Sequence, residues 1–139
     1  MHCEILKFSK RQMMESSKNF ILKLTVVPSL HLVESEAFEE WGMDIPEVLL
    51  FAELGRGVVN RIKELSTEDK IYIFETIECG MLENENLKTL IATGLLEALF
   101  VRALRDSKIF RDVDRYFGYE SRKYLLAWDS WHRGESDEY

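Results

Sequence analysis

The chain predicts an all-α fold, a single-domain antiparallel helical bundle or short α-solenoid-like stack of about six to seven helices. Three observations lead there. Pro28 and Pro46 are the only prolines among 139 residues, so long stretches carry no helix breaker. Apolar residues recur at spacings of three and four, the period of a helix face. The turns between those stretches are short, which joins successive helices antiparallel. Residues 1–133 contain no Gly/Ser-rich linker and read as one helical domain, ahead of a polar tail at 134–139.

Ser9 with Gln12 has the form of a capping box and predicts a helix toward Val27, lined by Met13, Phe20, Leu24 and Val27 and stopped at Pro28. A strand is admissible only at 5–8. Ser35 is expected to cap a short helix carrying Phe38 and Trp41, closed by Gly42. Asp44 is then expected to cap a longer helix with Pro46 in its first turn, where a missing N–H costs nothing. Its stripe is Val48, Phe51, Ala52, Gly55, Val58, Val59, Ile62 and Leu65, widened by Leu49, Leu50 and Leu54, which places this helix centrally. Gly55 and Gly57 each weaken a helix interior by about 1 kcal/mol relative to Ala, so close approach of another helix is the reason to expect them there.

Ser66 caps the next helix, with Asp69 at its third position and Ile71, Phe74, Ile77 and Met81 as its stripe. Asn84, Glu85 and Asn86 read as a turn, with Asn86 capping a helix that shows Leu87, Leu90, Ile91, Gly94, Leu95, Ala98 and Leu99. Ser107 begins a short helix ended by Gly118, and residues 121–131 form a last amphipathic segment.

Charge is distributed unevenly over these elements. From Glu34 to Glu97 there are fifteen carboxylates against five Lys or Arg, a net of −10, whereas the whole chain carries −7. The remainder is therefore slightly basic. Such segregation creates a field that attracts a partner of opposite sign, although acidic helix faces also serve solubility. A net negative charge argues against generic binding to nucleic acid or anionic membranes, which require basic footprints. No apolar run approaches the roughly 20 residues that span a bilayer. Residues 1–12 have no signal-peptide apolar core, and Cys3 and Cys79 are two thiols far apart in sequence. Both features fit a reducing cytoplasm.

Catalytic and cofactor signatures are missing from the sequence. Gly55-Arg56-Gly57 lies inside a helix and lacks the Lys-Ser/Thr ending of a phosphate loop. His2, His31 and His132 are scattered, and His31 with Glu34 supplies only two ligands. Cys79, beside Glu78 near a helix C-terminus, sits where a thiolate is disfavoured. Carboxylate pairs abound, but the Glu-x-x-His element of di-iron bundles does not occur. Glu53, set among Leu49 to Val59, needs a partner such as Arg56 or a tyrosine hydroxyl if it is buried. The expectation is a protein without catalytic residues, cofactor or metal.

The run from Val48 through Phe51, Ala52, Leu54 and Arg56 to Ile62 is more specific than periodicity requires. At helix-pair distance it is followed by Leu87-Lys-Thr-Leu-Ile-Ala-Thr-Gly-Leu-Leu-Glu-Ala-Leu99, and later by Phe117-Gly118 and Ser121 to Leu125. Together with the helix at 71–82, these segments resemble a family of small helical bacterial proteins similar to the immunity partners of polymorphic toxins, including those of contact-dependent growth inhibition. The resemblance covers roughly 45–124. Gly57 and the turn around Asn84 to Asn86 depart from its pattern, and no toxin class is carried across.

What the resemblance implies is a noncatalytic, cytosolic inhibitor of a toxin domain. Toxins of this kind are often nucleases with basic clefts, which an acidic protein can reach quickly by electrostatic steering. Candidate contacts are Glu36, Glu39, Glu40, Trp41, Asp44, Glu47, Glu75, Glu78, Glu83 and Glu85. Trp41 enters as an aromatic anchor among charges. The alternative is a helical scaffold or adaptor that takes a peptide or helix in an apolar groove. A third reading is self-association through Tyr119, Tyr124, Trp128 and Trp131, residues that otherwise dock the last helix.

Overall fold

A computed structural model describes the backbone of residues 10–137 and the side chains of residues 15–132. Its helices are α1 (Lys10–Leu24), α2 (Pro28–Trp41), α3 (Glu47–Asn60), α4 (Thr67–Glu83), α5 (Glu85–Thr89), α6 (Glu97–Ala103), α7 (Ser107–Asp114) and α8 (Tyr119–Asp137). A 3₁₀ turn, Ile62–Glu64, precedes α4. A π-helical segment, Leu90–Leu96, joins α5 to α6 without a break in the rod. The fold is an all-helical bundle, with no strand among the described residues. The expected cap at Ser9 and strand at 5–8 lie outside them.

Helix α3 is the central element, packed mainly on the π segment, α6 and α2. Its Phe51, Leu54 and Val58 are fully buried. Two glycines set its closest contact. A Cβ on Gly55 would lie 2.2 Å from the Leu95 carbonyl oxygen, and one on Gly94 would lie 2.9 Å from Phe51 Cβ. The backbones of α3 and the π segment therefore meet where neither carries a side chain. This is the close approach that Gly55 implies. Gly57 repeats it toward α2, where an added Cβ would lie 2.6 Å from a Val33 methyl.

Several boundaries differ from the sequence expectation, each for a local reason. Pro28 does not merely end α1; it opens α2, its fixed φ suiting the first helical turn. Helix α2 then runs through Ser35, because Leu30, Val33 and Ala37 are buried on one continuous face. Gly42 closes it at φ +87°, donating its N–H to the Phe38 carbonyl at 2.8 Å. Asp44 does not cap α3; Pro46 occupies that position and no side chain caps it. Ser66 does cap α4, accepting from the Asp69 N–H at 3.1 Å. Asn84, rather than Asn86, caps α5, accepting from the Leu87 N–H at 2.9 Å. Asp106, rather than Ser107, caps α7. Ile71 and Val48 are exposed instead of buried, because Ile73 and Leu50 take the inward positions.

Helix α8 docks on α4 and the π segment. Leu125 is buried, Trp128 meets Phe100 edge to face at 5.9 Å, and the Tyr124 hydroxyl donates to Glu97. Tyr119 and Trp131 remain largely in solvent. The four C-terminal aromatics thus divide, two docking the helix and two facing outward.

Candidate functional site

The C-terminal end of α2 and the loop after it form an acidic tip. Glu39, Glu40 and Asp44 are exposed and have no hydrogen-bond or ion-pair partner among the described residues. Trp41 is 50% exposed and Met43 78%, so large apolar surface stands among the carboxylates. Phe38, one turn back, is the aromatic that packs inward. The α2 C-terminus contributes the negative end of its macrodipole, which deepens the field of Glu39 and Glu40.

The other candidates from the sequence are placed differently. Glu36 pairs with Arg61 at 2.9 Å. Glu47 accepts from the Ser17 hydroxyl at 2.5 Å and Glu83 from the Ser16 hydroxyl at 3.2 Å, so both are tied to α1. Glu78 is enclosed by α8: it accepts from the backbone N–H of Glu120 at 2.5 Å, and from the Ser121 N–H and hydroxyl at 3.2 and 2.9 Å. A carboxylate from α4 therefore caps the N-terminus of α8. Glu75 on α4 and Glu85 in the first turn of α5 are exposed. The tip residues Glu39, Glu40, Trp41 and Asp44 come together, while Glu75, Glu78 and Glu83 lie on α4 and Glu85 at the start of α5.

Glu53 is half-buried and ion-paired with Arg56, the partner its surroundings require. That pair borders a feature that sequence reasoning missed, a polar groove of about 580 Å³ between α2, α3 and α6. Glu36, Glu40 and Glu64 line it, with Arg61 and Arg102. Arg61 bridges Glu36 and Glu64, the latter at 3.4 Å. Arg102 donates to the Asn60 side-chain oxygen at 2.7 Å. The acidic segment is therefore interleaved with arginines here. The i,i+3 pairs Glu53–Arg56 and Arg61–Glu64 were a visible signal, but the meeting with Arg102 was not.

A second depression, apolar and about 190 Å³, lies between α6, α7 and α8 against Phe100, Leu104, Phe110 and Leu126. It falls below the roughly 300–1,000 Å³ typical of ligand pockets.

Among the described residues no group of three or more His, Cys, Asp or Glu is placed to hold a metal ion. His31 and Glu34 share a face, 4.0 Å apart. Cys79 is disulfide-bonded, which corrects the expectation of a free thiol at this position. No described helix is long and apolar enough to cross a membrane. The Tyr124 phenol is held above its ordinary range, first by burial and then by the hydrogen bond and charge of Glu97. Comparison with protein-family models, curated proteins and solved structures finds no match.

Proposed function

We propose that the chain is a noncatalytic immunity protein, binding a basic bacterial toxin domain of the nuclease kind and neutralising it through its acidic surface. The observation that carries this reading is Trp41, half exposed beside Met43 and among the unpartnered Glu39, Glu40 and Asp44. Burying an aromatic of this size in a partner pocket supplies affinity, and the surrounding carboxylates supply fast, salt-sensitive encounter. Both come from one short stretch of chain. Glu75 and Glu85 add exposed charge on α4 and α5, Glu36 is paired with Arg61, and Glu47, Glu78 and Glu83 serve the bundle itself. The sequence resemblance to toxin immunity partners points to the same activity and to the cytoplasm as its location.

The decisive experiment asks whether the neighbouring reading frame encodes a toxin domain and whether this chain, co-expressed with that domain, protects the cell. The wild-type chain is expected to restore growth, and Trp41→Ala to weaken binding by about 2 kcal/mol or more. Association is expected to slow steeply as salt rises. No protection by the wild-type chain, or binding indifferent to both Trp41 and salt, rejects the proposal. The adaptor reading has the apolar depression behind α8 as its support, but that space admits one or two side chains rather than a helix face.

A further inference from the structure

Helix α7 presents the opposite charge to the α2 tip. Lys108, Arg111 and Arg115 recur at spacings of three and four, which places them on one face, and all three are exposed. Arg105, also exposed, stands in the turn just before. The acids of this stretch are engaged elsewhere: Asp106 caps the helix, Asp112 pairs with Lys70 at 2.9 Å and Asp114 with Arg122 at 3.1 Å. Arg105, Lys108 and Arg115 have no side-chain partner among the described residues, and Arg111 reaches only the Ser107 carbonyl, at 3.3 Å. The apolar depression between α6, α7 and α8 adjoins these cations, because Leu104 and Phe110, which line it, are the chain neighbours of Arg105 and Arg111. Leu104 is 50% exposed and Leu126 64%, so this apolar surface is open to solvent.

We infer that the depression receives the tip of a second copy of this chain, Trp41 entering it while Glu39, Glu40 and Asp44 meet Arg105, Lys108 and Arg111. Size supports the match. A cavity of ~150 Å³ lined by Leu, Ile and Phe holds benzene, so about 190 Å³ suits a single aromatic side chain. Asp114 and Asp129 bring carboxylate oxygens to its wall, and a buried indole N–H requires such an acceptor. Sign supports it as well: unpartnered acids flank the aromatic, and unpartnered bases flank the socket. Burial of the indole contributes the affinity, while the exposed charges set orientation and encounter rate. Tip and socket are different surfaces, so every copy offers one of each.

This inference goes beyond the proposed function; it uses the same tip but needs no toxin. Sedimentation velocity at low salt, over a concentration series up to about 1 mM, measures it directly. The wild-type chain is expected to self-associate, and less so as salt rises. Trp41→Ala is expected to weaken self-association about 30-fold. A socket variant carrying both Lys108→Glu and Arg111→Glu breaks no ion pair among the described residues and is expected to be monomeric, since like charges then oppose one another. Mixing that variant with Trp41→Ala is expected to give a one-to-one dimer, because the intact tip of the first meets the intact socket of the second. A wild-type chain that stays monomeric, self-association indifferent to Trp41→Ala, or a mixture that remains monomeric overturns the inference. Those outcomes leave the co-expression result standing, and failed protection leaves the sedimentation result standing.

Discussion

Gly55 shows how a single residue can carry opposing terms whose balance is measurable. Helix propensity favours alanine there by about 1 kcal/mol. Against that, the added Cβ would lie 2.2 Å from the Leu95 carbonyl, a backbone atom that cannot swing aside. Overpacking of this kind costs about 1–3 kcal/mol and more where backbone must move. Gly55→Ala is therefore expected to lower the urea midpoint by the equivalent of about 2 kcal/mol with an unchanged slope. A midpoint that rises would mean the helices part readily. Tyr124 offers a second test. Its phenol is half-buried and hydrogen-bonded to Glu97, so it holds its proton above the ordinary value of 10.0. A raised folded value means its contribution to stability is fully present below pH 10.0 and is lost as pH climbs toward the folded value. In an alkaline titration followed by phenolate absorbance, Tyr124→Phe is expected to remove a late-titrating step. A titration curve whose alkaline limb is unchanged by that substitution would exclude it.

Between Glu85 and Ala103 the chain forms one rod with two kinds of helical turn, α and π. The π segment is marked by the Glu97 N–H bonding to the Ala92 carbonyl, five residues back. It coincides with the stretch where Gly94 and Leu95 press on α3. Apolar spacing in 87–99 made the helix legible but not its widened turn, because a period of three and four does not distinguish the two over so few residues. Caps were legible where a side chain had one geometric option and illegible where neighbours competed. Ser66 was read correctly, whereas Asn84 and Asn86 both suit a cap, and only the fold shows that Asn84 also reaches α1 through the Ser16 hydroxyl at 3.1 Å. Asn84→Ala is accordingly expected to cost about 1–2 kcal/mol, losing a cap and an inter-helix hydrogen bond. A change under about 0.5 kcal/mol by urea denaturation would return the capping role to a neighbour.

Across the whole molecule, fifteen carboxylates in one segment do not become one acidic surface. Some cap or clamp helices, some are interleaved with arginine, some stand alone on α4 and α5, and Glu39, Glu40 and Asp44 gather at the α2 tip. Function and stability should therefore separate there. Replacing Glu39, Glu40 and Asp44 together by lysine is expected to change the unfolding free energy by no more than about 0.5 kcal/mol per site, since none has a partner to lose among the described residues. The same variant is expected to slow association with a basic partner by about tenfold or more at low salt. A triple variant that unfolds readily would show that the tip holds the bundle together.

Helix periodicity, sparse proline and the placement of Gly42, Gly55 and Ser66 determined the all-helical class and the central position of α3, because those signals act within a few residues of the chain. The expectation of a partner-binding aromatic among carboxylates at Trp41 came from sequence as well. Only the tertiary structure decided which carboxylates remain free. Glu78 and Glu120 are neighbours through packing of α4 against α8, as are Glu36 and Arg61 through α2 and α3. Arg102 reaches the groove because α6 lies against α3. Charge along a chain is additive, but the field a partner meets depends on which charges have already found one another, and that is fixed by long-range packing.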